Sequence, residues 1–192
     1  PPITRTLIYA NIGVFLVQNL AGSAIEFSFA LWPWRTPLFH VWQLLTYGFL
    51  HANFSHLFFN MFALYMFGSD IERALGTQRF LNYYLVSVVG AAVMQLVVTY
   101  MIGGPPIPTV GASGGVFGLL LAFGMFFPNR RIMLLIPPIP MRAWVFVTLY
   151  GLVELAMGVF GTEQGVAHFA HLGGMLAGFL LIHHWRSESG LR

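Results

Sequence analysis

An all-α bundle of six membrane spans is the fold class this sequence predicts, and three observations predict it. Only 8% of the 192 residues are charged and 57% are hydrophobic, so the chain lacks the polar surface that water demands of a folded domain. Six apolar stretches approach the roughly 20 residues that cross a bilayer, at about 4–21, 43–68, 79–102, 111–128, 142–160 and 165–185. The cationic side chains, all arginine, fall to one side. With the N-terminus inside, Arg5, Arg73, Arg79, Arg130, Arg131, Arg142, Arg186 and Arg192 are cytoplasmic and only Arg35 is external. Residues 1–192 therefore read as one multi-pass membrane domain with both termini cytoplasmic.

Each element has its own justification. The first apolar stretch follows Pro1-Pro2-Ile3-Thr4-Arg5 without a cleavable signal pattern and reads as a true span. Residues 21–41 are too long and too aromatic for a plain connection. Phe27, Phe29, Trp32, Trp34, Phe39 and Trp42 suit an interfacial loop between spans one and two, whose rings anchor at the outer surface. Pro105-Pro106-Ile107-Pro108 cannot be helical and leads into the fourth span, placing Gly111-Ala112-Ser113-Gly114-Gly115 near its outer end. Pro128-Asn129-Arg130-Arg131 stops that span. Pro137-Pro138 and Pro140 precede the fifth, and Glu163 falls in the short outer turn before the sixth.

Composition also removes several function classes. There is no cysteine, so disulfides and thiolate metal sites are excluded, and no His-Glu-x-x-His run suggests a metalloprotease. The net charge of +3 is not gathered into a basic patch, so nucleic acid is not an expected partner. No cofactor and no metal are called for. A Gly-x-Ser-x-Gly run also occurs in soluble serine hydrolases, but there a strand precedes the serine, whereas here a proline-rich turn does.

The chemistry concentrates around Ser113. A serine becomes a nucleophile only when a base takes its proton, and an ionisable side chain inside a membrane is a functional candidate by default. On the sixth span His168 and His171 compete for that role. Ala170, Gly174 and Gly178 repeat at a four-residue spacing beside His171, and Gly114, Gly118 and Ala122 answer on the fourth span. Two small-residue faces bring backbones close, which favours His171 as the base. Gly111 keeps the approach to the hydroxyl open. Phe117, one turn after Ser113, is placed to pack on the His171 ring. On the second span His56 and Asn60 lie four residues apart on one helix face. They either bond neighbouring helices or donate to an oxyanion, and beside Ser113 and His171 the second role is preferred. Glu154, in the middle of the fifth span, either orients a histidine or ties one helix to another. The tie is preferred, which leaves a Ser113–His171 dyad.

These residues together resemble the rhomboid intramembrane serine proteases, over almost the whole chain. Gly111-x-Ser113-Gly114 is similar to the family's nucleophile motif, and Ala170-His171-Leu172-Gly173-Gly174 followed by Gly178 to its base motif. The stretch from His51 to Asn60 resembles the second-span signature, and Glu72-Arg73-Ala74-Leu75-Gly76 the inner turn. One departure is Trp42-Gln43, where many members carry Trp-Arg in the first external loop.

The resemblance implies a bacterial-type, six-span serine endopeptidase that cleaves transmembrane segments of client proteins within the lipid bilayer. It also implies an oxyanion site built from His56, Asn60 and the Ser113 N–H. The expected location is a bacterial plasma membrane, with the site toward the outer side. Two other classes compete: a catalytically silent relative that binds clients, and a haem-binding or transport protein using His56 and His171. The first would be marked by loss of the serine or the histidine, and both are present.

Overall fold

The computed structural model describes residues 1–133, 137–161 and 167–189. The chain opens with α1 (Pro2–Ala21), whose Pro2 at the first helical position gives up no hydrogen bond. Next come a short α2 (Ser23–Phe29) and the brief α3 (Gln43–Thr46), which runs into a 3₁₀ turn (Tyr47–Phe49). Then α4 (Phe54–Ala63) passes through a π-helical turn (Leu64–Gly68) into α5 (Ser69–Leu75). Four longer elements follow: α6 (Thr77–Ile102), α7 (Ser113–Phe126), α8 (Ala143–Phe160) and α9 (His168–Glu188). Between α7 and α8 a small antiparallel hairpin pairs β1 (Arg131–Met133) with β2 (Pro140–Arg142), an element the sequence reading does not contain.

Helix boundaries follow local chemistry. The expected span 43–68 is broken, because residues 50–53 are not helical and the long helix starts at Phe54. Asn53 is its N-cap, with its side-chain oxygen accepting from the His56 N–H at 2.9 Å. That cap is the signal that marks the break in the sequence. The span 111–128 contracts to Ser113–Phe126, since Gly111 at φ 125° holds a backbone conformation a helix cannot use. The start of the span at 165, Glu163 and Arg192 lie outside the described residues.

Among the described residues, two helices are long and apolar enough by length and composition to cross a membrane, Thr77–Ile102 and Ala143–Phe160. α7 is equally apolar but has 14 residues, a length of about 21 Å against a hydrocarbon core of about 30 Å. α1 and α9 are long but diluted by polar side chains such as Asn11, Gln18, His168 and His171.

α6, α7 and α9 form the centre, around buried Phe80, Tyr83, Tyr84 and Leu119. α8 lies at the edge, with Leu149, Leu152, Val153, Leu155 and Phe160 turned outward. Large apolar side chains of this kind cover most helices externally, a surface suited to hydrocarbon.

The aromatic loop is more structured than an anchoring belt. Leu31 pairs with Thr109 in a β-bridge. Trp32, expected at the interface, is buried, stacks on Phe27 and donates from Nε1 to the Phe27 carbonyl at 3.1 Å. Gln43 ties the loop together. Its Nε2 donates to the Leu38 and Ser28 carbonyls, and its Oε1 accepts from the Trp32 N–H.

On the opposite end Glu72 anchors the start of α1. Its carboxylate accepts from the N–H groups of Ile3 and Thr4 at 2.9 and 2.8 Å and from the Thr4 hydroxyl at 2.7 Å. Burial pushes this carboxyl up, but the three hydrogen bonds outweigh it and hold the group below its ordinary value.

Candidate active site

Ser113 is the first residue of α7, delivered there by the positive-φ turn at Gly111. The N–H groups of a helix's first turn have no acceptor within the helix, so donors cluster around this hydroxyl. Close packing supplies its neighbour. A Cβ on Gly174 of α9 would overlap the Gly114 carbonyl of α7, and one on Gly118 would come within 3.3 Å of the Gly174 carbonyl. The two backbones therefore touch where the four-residue spacing places glycine. In this seam His171 Nε2 lies 3.0 Å from Ser113 Oγ. Phe117 stacks on the His171 ring, with centroids 4.2 Å apart and planes within 6°.

Gly178 serves a different contact from the one its spacing suggested. A Cβ there would meet the Tyr83 hydroxyl of α6, not α7. That hydroxyl donates to the Gly118 carbonyl at 2.6 Å, so Tyr83 links α6 and α7 beside Gly178 of α9. α6 likewise crowds Gly114 through Ala91 and Gly173 through Met94. The four-residue spacing pairs α7 with α9 but carries no mark of this third helix.

The second-span residues divide. The His56 ring lies against Gly111, where a Cβ would stand 2.6 Å from Cε1 and 2.8 Å from Nε2. His56 Nδ1 accepts from the Ala52 N–H at 3.3 Å, so the proton resides on Nε2 and faces the Gly111 turn as a donor. Asn60 is buried, and its Nδ2 donates to the His56 carbonyl at 3.0 Å, one turn back on its own helix. The described contacts therefore bring His56, and not Asn60, against the turn that carries Ser113.

Buried His51 and half-buried Gln18 support this arrangement. His51 stands edge-on to His56 with ring centroids 5.0 Å apart. Gln18 of α1 holds the His51 backbone from both sides, donating to its carbonyl at 3.2 Å and accepting from its N–H at 3.0 Å.

His168 does not reach Ser113. Its Nδ1 lies 2.6 Å from Glu154 Oε2, and His171 Nδ1 lies 2.9 Å from the same oxygen. Glu154 is 6% exposed and reaches α9 from α8, so it is a helix tie that also contacts the candidate base. Ligand atoms of Glu154, His168 and His171 lie within 4.8 Å of one another, a spacing able to hold a divalent cation, but the two hydrogen bonds already satisfy them. His171 therefore has both ring nitrogens engaged, Nδ1 with Glu154 and Nε2 with Ser113.

A cavity of about 580 Å³ opens between α7, α8 and α9, lined by Phe117, Tyr150, Val153, Met157, His168 and His171. It gives this seam an open side toward α8.

Comparison with known proteins places these features in one family. Residues 38–186 match the family model described as the rhomboid domain. The chain is 34% identical over 140 residues to the mitochondrial Rhomboid protein 1 of Saccharomyces cerevisiae, covering 69% of this chain and 38% of that protein. It is 30% identical over 138 residues to Rhomboid protease GluP of Bacillus subtilis, covering 72% of this chain and 25% of the relative. With Rhomboid protease GlpG of Photorhabdus laumondii it shares 28% identity over 183 residues, covering 94% and 60%. The chain thus spans between a quarter and three fifths of these relatives' own lengths. Its family model, its relatives and its glycine seam agree: the chain belongs to the rhomboid family.

Proposed function

We propose that this chain is the membrane-embedded core of a serine endopeptidase that cleaves transmembrane segments of client proteins. The observation that carries the reading is the 3.0 Å contact between His171 Nε2 and Ser113 Oγ at the start of α7. His171 takes the hydroxyl proton as Ser113 attacks the scissile carbonyl. The oxyanion then forms among the His56 Nε2–H, the Ser113 N–H and the second amide hydrogen of Asn60, which its bond to His56 leaves available. His171 returns the proton to the leaving amine, and water hydrolyses the acyl-Ser113 ester with His171 again as base. Relatives named as proteases support the activity.

The same proposal includes a six-span topology in a bacterial plasma membrane, both termini cytoplasmic and Ser113 toward the outer face. The arginine distribution and the apolar helix exteriors support it.

The test uses the protein purified in detergent with a model transmembrane substrate. Ser113→Ala is expected to abolish cleavage and fluorophosphonate labelling, and His171→Ala to reduce cleavage by at least about 1,000-fold. Cleavage at the wild-type rate by either variant overturns the assignment.

A further inference from the structure

One buried carboxylate, Glu154, has no part in that chemistry. Glu154 is the sole charged residue of α8, in an otherwise apolar run from Ala143 to Phe160. A carboxylate in such a helix is costly unless something offsets it. Both partners that offset it lie on one face of α9: His168 and His171, three residues apart, converge through Nδ1 on a single carboxylate oxygen.

We infer that Glu154 is a positioning residue for the Ser113–His171 pair, extending it to a Ser–His–Glu relay whose members come from three helices. A carboxylate oxygen only accepts, so the hydrogen between it and His171 resides on Nδ1. Nε2 then carries a lone pair, and that lone pair is what stands 3.0 Å from the Ser113 hydroxyl. Without an acceptor at Nδ1, the opposite tautomer would donate to Ser113 and be unable to take its proton.

His168 supplies the other half. Its Nδ1–H holds the same oxygen at 2.6 Å, so the carboxylate does not turn away when His171 moves. When Ser113 attacks, its proton passes to His171 Nε2, and the resulting imidazolium lies against the Glu154 carboxylate, which stays ionised and takes no proton. In a site of low dielectric that pre-placed charge lowers the barrier.

This inference rests on the Ser113–His171 reading, and its test keeps the two separable. The full chain in detergent is given a model transmembrane substrate, and kcat and KM are measured for wild type, Glu154→Gln and Glu154→Leu. Turnover is expressed per serine titrated by prolonged fluorophosphonate treatment, so misfolded protein does not count. Glutamine keeps an acceptor oxygen but no charge, and kcat is expected to fall about 10-fold; leucine removes both, and kcat falls about 100-fold or more, with KM within about twofold in each.

Nitrogen-15 spectra of histidine-labelled protein supply a second readout. His171 is expected to carry its proton on Nδ1 in wild type and in Glu154→Gln, and to lose that preference in Glu154→Leu. Wild-type kcat in both variants, or a raised KM at unchanged kcat, overturns the inference and leaves Glu154 as a helix tie. Ser113→Ala and His171→Ala are run alongside. If they are inactive while the Glu154 variants turn over normally, the relay alone fails; if they cleave, the underlying pair fails first.

Discussion

α9 meets its neighbours in two different ways. Toward α6 and α7 it presents glycine, and the backbones touch: Gly174 against the Gly114 carbonyl, Gly173 against Gly90 and Ala91. Toward α8 it presents side chains, with Met175 and Phe169 packing at Gly151 and Gly158 and two histidines reaching Glu154. Backbone contact leaves no rotamer to adjust, so the seam that sets the Ser113–His171 distance is rigid. Side-chain contact can re-form, so the α8 face tolerates displacement while still offering a carboxylate. Ser113 and His171 sit in the unyielding seam; the Glu154 carboxylate reaches in from the adaptable one.

The largest effect expected from breaking this contrast is at Gly174. In Gly174→Ala a methyl would overlap a carbonyl that cannot rotate away, so α7 and α9 must part. Overpacking of this kind costs about 1–3 kcal/mol and, set against backbone, falls at the upper end. Labelling of Ser113 by a fluorophosphonate is expected to drop by about 100-fold or more, because a 1 Å displacement of a catalytic pair is that costly. Thermal unfolding and labelling rate, measured together, check it.

A smaller effect compares the two buried carboxylates. Glu154 is held by imidazoles, whereas Glu72 is held by two backbone N–H groups and a hydroxyl at the other end of the molecule. The folded Glu72 carboxyl sits below its ordinary value, so its stabilisation is complete above the unfolded value of about 4.3 and disappears as pH falls through the folded one. Glu72→Gln is expected to lower stability at pH 7 by about 1–3 kcal/mol. The gap to wild type should close as pH drops below about 4, as followed by unfolding at several pH values.

The smallest effect sharpens the contrast from the other side. On α8 a Cβ at Gly151 would stand 3.5 Å from the Met175 methyl, an ordinary contact with a flexible side chain. Gly151→Ala is therefore expected to leave labelling within about twofold of wild type and to raise stability by up to about 1 kcal/mol through helix propensity. Loss of labelling in this variant would show that the α8 face is as rigid as the α7 seam.

Much of this arrangement is legible in sequence because small residues at a four-residue spacing have one structural use, close helix approach. Gly114, Gly118 and Gly174 declare a contact, and His171 and Phe117 lie beside it at helical intervals. The rest is not legible because spacing names a face but not the neighbour that fills it. Gly178 shares the Gly174 spacing yet opens onto Tyr83 of α6, since helices that cross at an angle diverge within a turn or two. Residues 50–53 are too few to interrupt a hydropathy average over a whole span, which runs past the break that the Asn53 cap creates. Gln43 carries no charge to advertise that it ties the outer loop together.

By itself the sequence determined the solvent, the helical class and the serine with its glycine-lined partner face, because those depend on composition and on the 3.6-residue period. It also left Glu154 with two uses, tie or orienter. Only the tertiary structure brought both histidines to it, by rotating α8 until one carboxylate oxygen met two imidazoles of α9. The physical reason is that helix rotation is fixed by packing against every neighbour together. No local pattern records it, and a buried charge finds its partners only when the last helix docks.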